Sequence, residues 1–501
     1  MSIPGLGQIA PPQPSTTSTT RTITLRPFWE YRFEVSRRTG PLGSSIPSSS
    51  TTTTTTASAG GPGTSSGSTT VRLTTGKADL DGTELALNHT YTFARGARAR
   101  IVSYTGATLE VAGELASEKV AQYARPEESA QLQVVNLHFA LQEARKKARA
   151  AAGVGNAGIQ QQQQQQLGPR VLVCGAADTG KTTIVRTLTG LATRAGGQPL
   201  AVSLDPREGM LALPGTLAAA VFGTVMDVED PAGGFGVRGT PSSGPSLVPV
   251  KLPVVYYFGR EKVEEDEGFW KVLVGKLGGV CRAKLEADGE VAATGVIVDT
   301  PPASEAKGDV EMLRLAIREF GVNVVVVVGS PGVYEALKKA WGNHRTLYGE
   351  EVRFFQVDQS DGVVPREYEF TKFTREAAIK EYFFGDAKRT LSPYTQSVGF
   401  DDLVIFKTPD DYYEDYDNRP PGLERAEITA EMSHWTLAVM NASINDPPET
   451  IRQAPVMGFV AVADVDEDRR RLKVLSPVSG RLGNRPFVWA RWPEPYINLL
   501  G

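Results

Sequence analysis

The spacing of apolar and polar residues divides the chain into regions of different structure. From position 167 to 394, short apolar runs rich in β-branched residues alternate with segments whose apolar residues recur at helical spacing. This alternation predicts an α/β domain with a parallel sheet, helices on both faces, and ligands at the carboxyl ends of the strands. The clearest predicted strands are RVLVCG, QPLAVSLD, TGVIVDT, VNVVVVVGS and EVRFFQVD, and the clearest helices are KTTIVRTLTGLATRAG, VEMLRLAIREFG and GVYEALKKAWG.

The regions on either side have other patterns. Residues 21–125 contain short β-rich segments separated by Gly, Asn and Asp turns, which is typical of a β-sandwich or small barrel. Residues 126–166 begin with an amphipathic helix, expected to pack on the following domain, and end in a linker. Residues 395–501 predict a small mixed α/β domain containing a hairpin that turns at 466–468.

Three low-complexity stretches cannot bury enough apolar surface to order themselves. Residues 1–20 form a predicted disordered tail. The Ser/Thr-rich insertion at 41–70 lies between RFEVSRR and VRLTTGKADL, so we expect an expanded hairpin loop there. The run Gln160–Gln166 is interpreted as an interdomain linker.

Composition narrows the class of protein. The 501 residues are 41% hydrophobic and 22% charged, which predicts a soluble globular chain of about three domains. A net charge of -4 argues against sequence-independent nucleic-acid binding through a global basic field. Cys174 and Cys281 are too few for a disulfide framework and are expected to be buried apolar residues. Neither a secretory signal nor a membrane-spanning apolar run is found.

A phosphate-binding motif stands between the first predicted strand of the α/β domain and the helix that follows. GAADTGKT, from Gly175 to Thr182, matches G-x-x-x-x-G-K-[ST] in the required strand and helix context. Backbone amides of such a loop surround phosphates, the lysine reaches the β- and γ-phosphates, and the threonine hydroxyl binds Mg²⁺. The predicted nucleotide-binding residues are Gly175, Asp178, Thr179, Gly180, Lys181, Thr182 and Thr183, the last supporting the helix start or the α-phosphate.

Two carboxylates end apolar strands near this motif. Asp205 and Asp299 are candidates to join Thr182 in binding Mg²⁺, although each could instead be a turn-forming residue. Because no N-K-x-D guanine-reading motif is present, we expect adenine to be the base.

Several ordered blocks resemble the family of polyribonucleotide 5′-hydroxyl kinases and the related ATP-binding subunit of cleavage factor IA in mRNA 3′-end processing. They are WEYRFEV, GKADLDGTELAL, TFARGARARI, GPRVLVCGAADTGKTT, SLDPREGMLALPGTL, PVVYYFG, SDGVV and IKEYFFGDAKRTLSP. The resemblance implies a β-sandwich, a central P-loop NTPase domain and a small C-terminal domain. It also implies that Glu30 contacts the adenine amino group and that Arg98 lies beside the purine or ribose.

The chain departs from active kinases of that family at three places. The T-x-G-W clasp, whose tryptophan can stack on an RNA base, is replaced by DTPPASEAKGD. The arginine-rich lid of those kinases corresponds to residues 360–385 here, which retain Arg366 and Arg375 but have only Lys372 between them. The D-V-G-Q-G carboxylate motif reads DPREG, which keeps Asp205 and places Glu208 near the phosphates.

These departures favour a non-catalytic member of the family. We expect a nuclear ATP-binding subunit of cleavage factor IA that retains ATP and Mg²⁺ as a structural clamp. The resemblance implies the termination subunit of that factor as its partner, with pre-mRNA contacted indirectly. One alternative is an active RNA 5′-hydroxyl kinase using Asp205, Arg366 and Arg375; another is a slow ATPase switch.

Overall fold

The computed structural model describes residues 20–37, 68–123, 125, 128–154, 167–207, 209–229, 235, 250–342, 344–385, 390–408, 422–477, 479 and 484–495. The predicted disordered tail up to residue 19, most of the Ser/Thr-rich insertion, the glutamine run and Glu208 lie outside these ranges. The described residues belong to two compact units. One contains the described residues up to Asp79 and Glu84–Gln122; the other contains Leu80–Thr83 and the described residues from Tyr123 onward.

The first unit is built on two sheets with antiparallel pairing, as predicted for a β-sandwich. The strand orders are β1-β8-β3-β6 and β5-β4-β7-β2-β9, and the two-residue strands β4 and β5 are divided between the two units. Phe33 of one sheet lies 5.1 Å from Phe93 of the other, ring centroid to ring centroid, and both are buried. The strands are β1 Arg21–Leu25, β2 Trp29–Val35, β3 Thr69–Gly76, β4 Asp79–Leu80, β5 Thr83–Glu84, β6 Thr90–Phe93, β7 Arg98–Ser103, β8 Ala107–Ala112 and β9 Leu115–Ala121.

The prediction that the Ser/Thr-rich insertion is a hairpin loop is wrong. The flanking strands β2 and β3 belong to different sheets, so the insertion connects two sheets of the sandwich. Both strands alternate buried and less buried positions, and each pairs with later strands. Local alternation identifies a strand without identifying its partner.

The second unit contains a seven-stranded central sheet in the order β13-β12-β11-β14-β10-β15-β16. Strands β11, β14, β10, β15 and β16 are parallel, as predicted, whereas β12 and β13 add an antiparallel edge. Its elements are α1 Ala130–Val154, β10 Arg170–Gly175, α2 Lys181–Arg194, β11 Leu200–Ser203, β12 Thr216–Phe222, β13 Val250–Tyr257, α3 Glu267–Ala287, α4 Gly289–Thr294, β14 Val296–Asp299, α5 Lys307–Glu319, β15 Val324–Val328, α6 Pro331–Trp341, β16 Arg353–Val357 and α7 Tyr368–Phe384.

A second seven-stranded sheet follows in the order β17-β22-β21-β20-β23-β18-β19. The predicted hairpin is confirmed, because β21 and β22 pair in antiparallel register on either side of the acidic turn. The elements are β17 Tyr394–Gly399, β18 Val404–Lys407, β19 Glu424–Arg425, β20 Thr436–Met440, α8 Pro448–Arg452, β21 Val456–Asp466, β22 Arg471–Ser476 and β23 Pro486–Trp489.

The two faces of the central sheet are covered differently. One apolar cluster joins it to α3, α5 and α6. The other joins it to α1, α2, α7 and residues of the C-terminal sheet, including Phe459. Helix α1 therefore packs on the domain that follows it, as predicted. Among the described residues, no helix combines the length and the apolar character that a membrane span requires.

Candidate functional site

The phosphate-binding loop joins β10 to α2. Gly175, Asp178 and Gly180 have φ values of 145°, 49° and 90°, so the chain turns sharply through conformations that favour glycine. A Cβ on Gly175 would lie 2.5 Å from the carbonyl oxygen of Val328, which excludes a side chain there. Within the described part of the chain, no side chain caps the N-terminus of α2. Its first amides and the turn therefore form an anion-binding site of the kind that phosphates occupy.

Lys181 and Thr182 open α2 where the motif places them. Lys181 is buried, and its Nζ donates to the carbonyl oxygen of Ala176 at 2.7 Å. The Oγ1 of Thr182 donates to Oδ2 of Asp299 at 2.6 Å. Asp299 is the last residue of β14 and is in register with Val173 of β10 and Ser203 of β11.

The pairing of a hydroxyl with a carboxylate suits a hard cation. Mg²⁺ prefers oxygen ligands and is commonly held by one or two protein groups together with substrate phosphates. Thr182 and Asp299 would hold such an ion, which would neutralise charge on the phosphate oxygens when bound. Thr182 and Asp299, two of the three predicted metal ligands, are therefore adjacent.

The third, Asp205, lies just beyond β11 and is engaged by a residue that sequence reasoning missed. Arg207 donates its backbone N–H to Oδ1 of Asp205 at 3.0 Å, and its guanidinium donates to Oδ1 at 3.2 Å and Oδ2 at 2.9 Å. Asp205 is buried, while the side chain of Arg207 is one-third exposed. The signal was present in the DPREG block, where an arginine stands two positions after the aspartate.

The remaining loop residues make contacts within the loop, α2 and the lid. Thr179 Oγ1 donates to the carbonyl oxygen of Ala176 at 3.0 Å, and the carbonyl of Thr183 accepts from Thr187 within α2. The Asp178 carbonyl oxygen accepts from Nε2 of Gln359, just before the lid, and its Oδ2 accepts from the backbone N–H of Arg366 in the lid, each at 3.4 Å. The lid segment therefore lies next to the phosphate-binding loop.

The segment in the place of the kinase clasp is held against β10. Thr300 Oγ1 donates to the carbonyl oxygen of Val173 at 3.0 Å, and the Ala303 N–H donates to that of Gly175 at 3.0 Å. Ala303 is buried. The clasp tryptophan is thus replaced by a short non-aromatic segment that packs beside the loop.

The two lid arginines have different surroundings. Arg366 is exposed and precedes α7, whereas Arg375 lies within α7 and is buried. The Arg375 guanidinium donates to Oε1 of Glu494 at 2.7 and 3.1 Å and lies 4.5 Å from the ring centroid of Trp492. Lys372 is partly buried on the same helix.

Glu30 and Arg98 both lie in the sandwich unit. Glu30 on β2 is only 1% exposed, and its Oε2 accepts from Nε and Nη2 of Arg32 at 3.0 and 2.7 Å. Arg98, the first residue of β7, pairs with Glu34 at 3.1 Å. Their assignment to the adenosine end of the nucleotide stays a prediction.

The two cysteines are buried, as expected. Burial raises the pKa of the Cys174 thiol to about 12, and the nearby Lys181 lowers it only in part. The thiol therefore stays protonated beside the phosphate-binding loop and contributes packing.

The parallel strands of the central sheet, the glycine-rich turn and the Thr182–Asp299 pair define a P-loop nucleotide-binding protein. Family profiles match three consecutive regions. Residues 63–148 match the N-terminal beta-sandwich domain of polyadenylation factor, 175–385 match the mRNA cleavage and polyadenylation factor CLP1 P-loop, and 391–494 match the pre-mRNA cleavage complex II protein Clp1.

Whole-chain relatives agree. Over the full length of both chains, identity is 62% with the mRNA cleavage and polyadenylation factor CLP1 of Chaetomium globosum and 48% with that of Neurospora crassa. A solved Clp1p–Pcf11p complex matches with a TM-score of 0.76 and 25% identity, covering 95% of this chain and 98% of that one. The chain belongs to the Clp1 family of mRNA cleavage and polyadenylation factors.

Proposed function

We propose that this protein is the ATP-binding subunit of nuclear cleavage factor IA and that it retains ATP with Mg²⁺ as a structural element. It acts in the endonucleolytic cleavage and polyadenylation of pre-mRNA. One observation carries the proposal. The phosphate-binding loop is complete, while Asp205, the carboxylate available to activate an acceptor, is paired with Arg207 through three hydrogen bonds.

Two further features support retention of ATP over transfer of its γ-phosphate. The segment after Asp299 offers no aromatic side chain to stack on an RNA base. Arg375, which resemblance to active kinases makes a candidate for the transferring phosphoryl group, is paired with Glu494. Bound ligand stabilises the native state by about 4 kcal/mol at a thousandfold excess over its dissociation constant. Retained ATP therefore has a structural role without turnover.

Solved structures of relatives indicate which kind of protein binds this chain. One solved relative is Clp1p bound to Pcf11p. A second solved structure shows the extended interface of the same two proteins and concerns the loss of ATP in a point mutant. We propose that the corresponding termination subunit binds this chain and that bound ATP supports its binding surface. Contact with pre-mRNA is then indirect.

Mass analysis of the nucleotide that copurifies with the full chain tests retention. We expect intact ATP in the wild-type protein and none in Lys181→Ala. In parallel, wild-type protein is expected not to transfer labelled γ-phosphate to a 5′-hydroxyl RNA oligonucleotide. Robust transfer that Lys181→Ala abolishes would establish the kinase alternative, and bound ADP would favour the ATPase switch.

A pull-down with the termination subunit tests the structural role of ATP. Lys181→Ala is expected to recover less partner than wild type because it lacks nucleotide. Equal recovery from protein shown to be free of ATP would contradict the proposal.

A further inference from the structure

Helix α7 forms the second part of the lid and packs against the C-terminal sheet. Ile379, Tyr382 and Phe383 are buried in the same apolar cluster as Phe459 of β21. The Tyr382 hydroxyl accepts a hydrogen bond from the Phe459 N–H at 2.9 Å. One side of α7 is therefore part of a core shared with the C-terminal sheet.

A polar contact reinforces this packing near the first half of the helix. Arg375 is 6% exposed and donates twice to one oxygen of Glu494, with the Trp492 ring against its guanidinium. The Trp492 carbonyl in turn accepts from the buried hydroxyl of Tyr257 at 2.8 Å. The segment around Trp492 is therefore anchored to β13 as well as to α7.

The other end of the lid contacts the phosphate-binding loop. Gln359 and the Arg366 N–H both donate to Asp178. A Cβ placed on Gly180 would lie 3.6 Å from Cγ2 of Val363. Residues 359–384 thus run from the loop that takes the phosphates to the core of the C-terminal sheet.

We infer that Arg375 is a positioning residue through which the C-terminal domain holds the lid beside the phosphate-binding loop and slows nucleotide release. The inference rests on the proposed retention of ATP. Glu494 and Trp492 keep the first half of α7 in place, and α7 keeps residues 359–366 against Asp178. Such coupling is reciprocal, so nucleotide must stabilise the contact between α7 and the C-terminal segment by the same free energy.

The test is the release rate of a fluorescent ATP analogue from the full-length protein. Glu494→Gln keeps the side-chain shape and removes the charge, and release is expected to be about tenfold faster, within the usual range of coupling between sites. The matched control is Asp401→Asn, because Asp401, between β17 and β18, pairs at 2.9 Å with Arg470 in the β21–β22 turn of the C-terminal domain, but both side chains are largely exposed. Release from the control is expected to match wild type.

Thermal denaturation of the same proteins separates positioning from general stability. A lower melting temperature with an unchanged release rate for Glu494→Gln would overturn the inference while leaving the proposed function intact. Wild-type protein that retains no nucleotide would overturn the proposed function, and with it this inference.

Hydrogen exchange supplies a second readout that does not depend on a variant of the contact. Lys181→Ala, free of nucleotide, is expected to exchange amide protons faster than wild type in α7 and in residues 490–494. Unchanged exchange in both segments would contradict reciprocal coupling.

Discussion

The Thr182 hydroxyl donates a 2.6 Å hydrogen bond to the carboxylate of Asp299, which joins the first turn of α2 to the end of β14. These residues are 117 positions apart and meet because β10 and β14 are parallel neighbours in the central sheet. The pair stands where a nucleotide-bound cation would need oxygen ligands.

Removing that hydroxyl should weaken nucleotide binding in a metal-dependent way. Thr182→Val keeps the shape but removes the oxygen, and we expect affinity for Mg²⁺–ATP to fall about tenfold, since a hydrogen bond to a charged group contributes ~1.5 kcal/mol or more. Thr182→Ser keeps the oxygen and should bind within about twofold of wild type. The affinity of each variant for ATP is measured by equilibrium titration, once in the presence of Mg²⁺ and once in the presence of a chelator. Equal affinities for the valine and serine proteins would argue against a cation at this pair.

Freeing Asp205 should permit slow turnover. Arg207→Gly removes the guanidinium that engages Asp205, so the carboxylate becomes available to orient or deprotonate an acceptor. We expect hydrolysis of bound ATP to rise about tenfold or more, detected as ADP in the purified protein. Asp205→Asn combined with Arg207→Gly is the control and should abolish the rise. Loss of ATP without ADP would instead identify Arg207 as a phosphate ligand.

Helix α1 should contribute to the stability of the nucleotide-binding unit through Arg145. This buried side chain donates Nε to the carbonyl oxygen of Thr294 at 2.9 Å, at the end of α4. Arg145→Ala leaves that oxygen without its donor and should lower stability by about 2–3 kcal/mol. The adjacent Lys146 is exposed and pairs with Glu143 in the same helix. Lys146→Ala should cost less than about 0.5 kcal/mol, so similar denaturation midpoints for the two variants would contradict the assignment.

Much of the site was predictable because its determinants are local or follow from strand order. The motif predicted the strand, turn and helix from Arg170 to Arg194, and parallel pairing placed Asp299 beside Thr182. The antiparallel edge was missed because β12 is a fully buried, alanine-rich run whose pattern indicates neither direction nor partner. The engagement of Asp205 depends on a turn conformation, and that of Arg375 on a partner 119 positions away. The spacing of apolar residues predicts neither a turn conformation nor a contact between distant residues.

Acid should destabilise the folded protein through His138, which lies on helix α1. Burial, reinforced by Arg145 and then Arg194, lowers the pKa of His138 to about 4, so the native state keeps the imidazole neutral. Among the described residues, its Nδ1 has no hydrogen-bond partner that would favour the charged form.

The sign of the effect follows from proton linkage. The unfolded chain binds a proton near pH 6.5, whereas the folded protein does so only near pH 4. Below pH 6.5 the unfolded state therefore holds more protons, and the free energy of unfolding falls as pH falls through this window. His138→Gln should flatten the decline in melting temperature between these values. His89→Gln alters an exposed histidine of the sandwich unit and should leave the slope unchanged. A slope for His138→Gln equal to that of wild type would show that other groups cause the acid sensitivity.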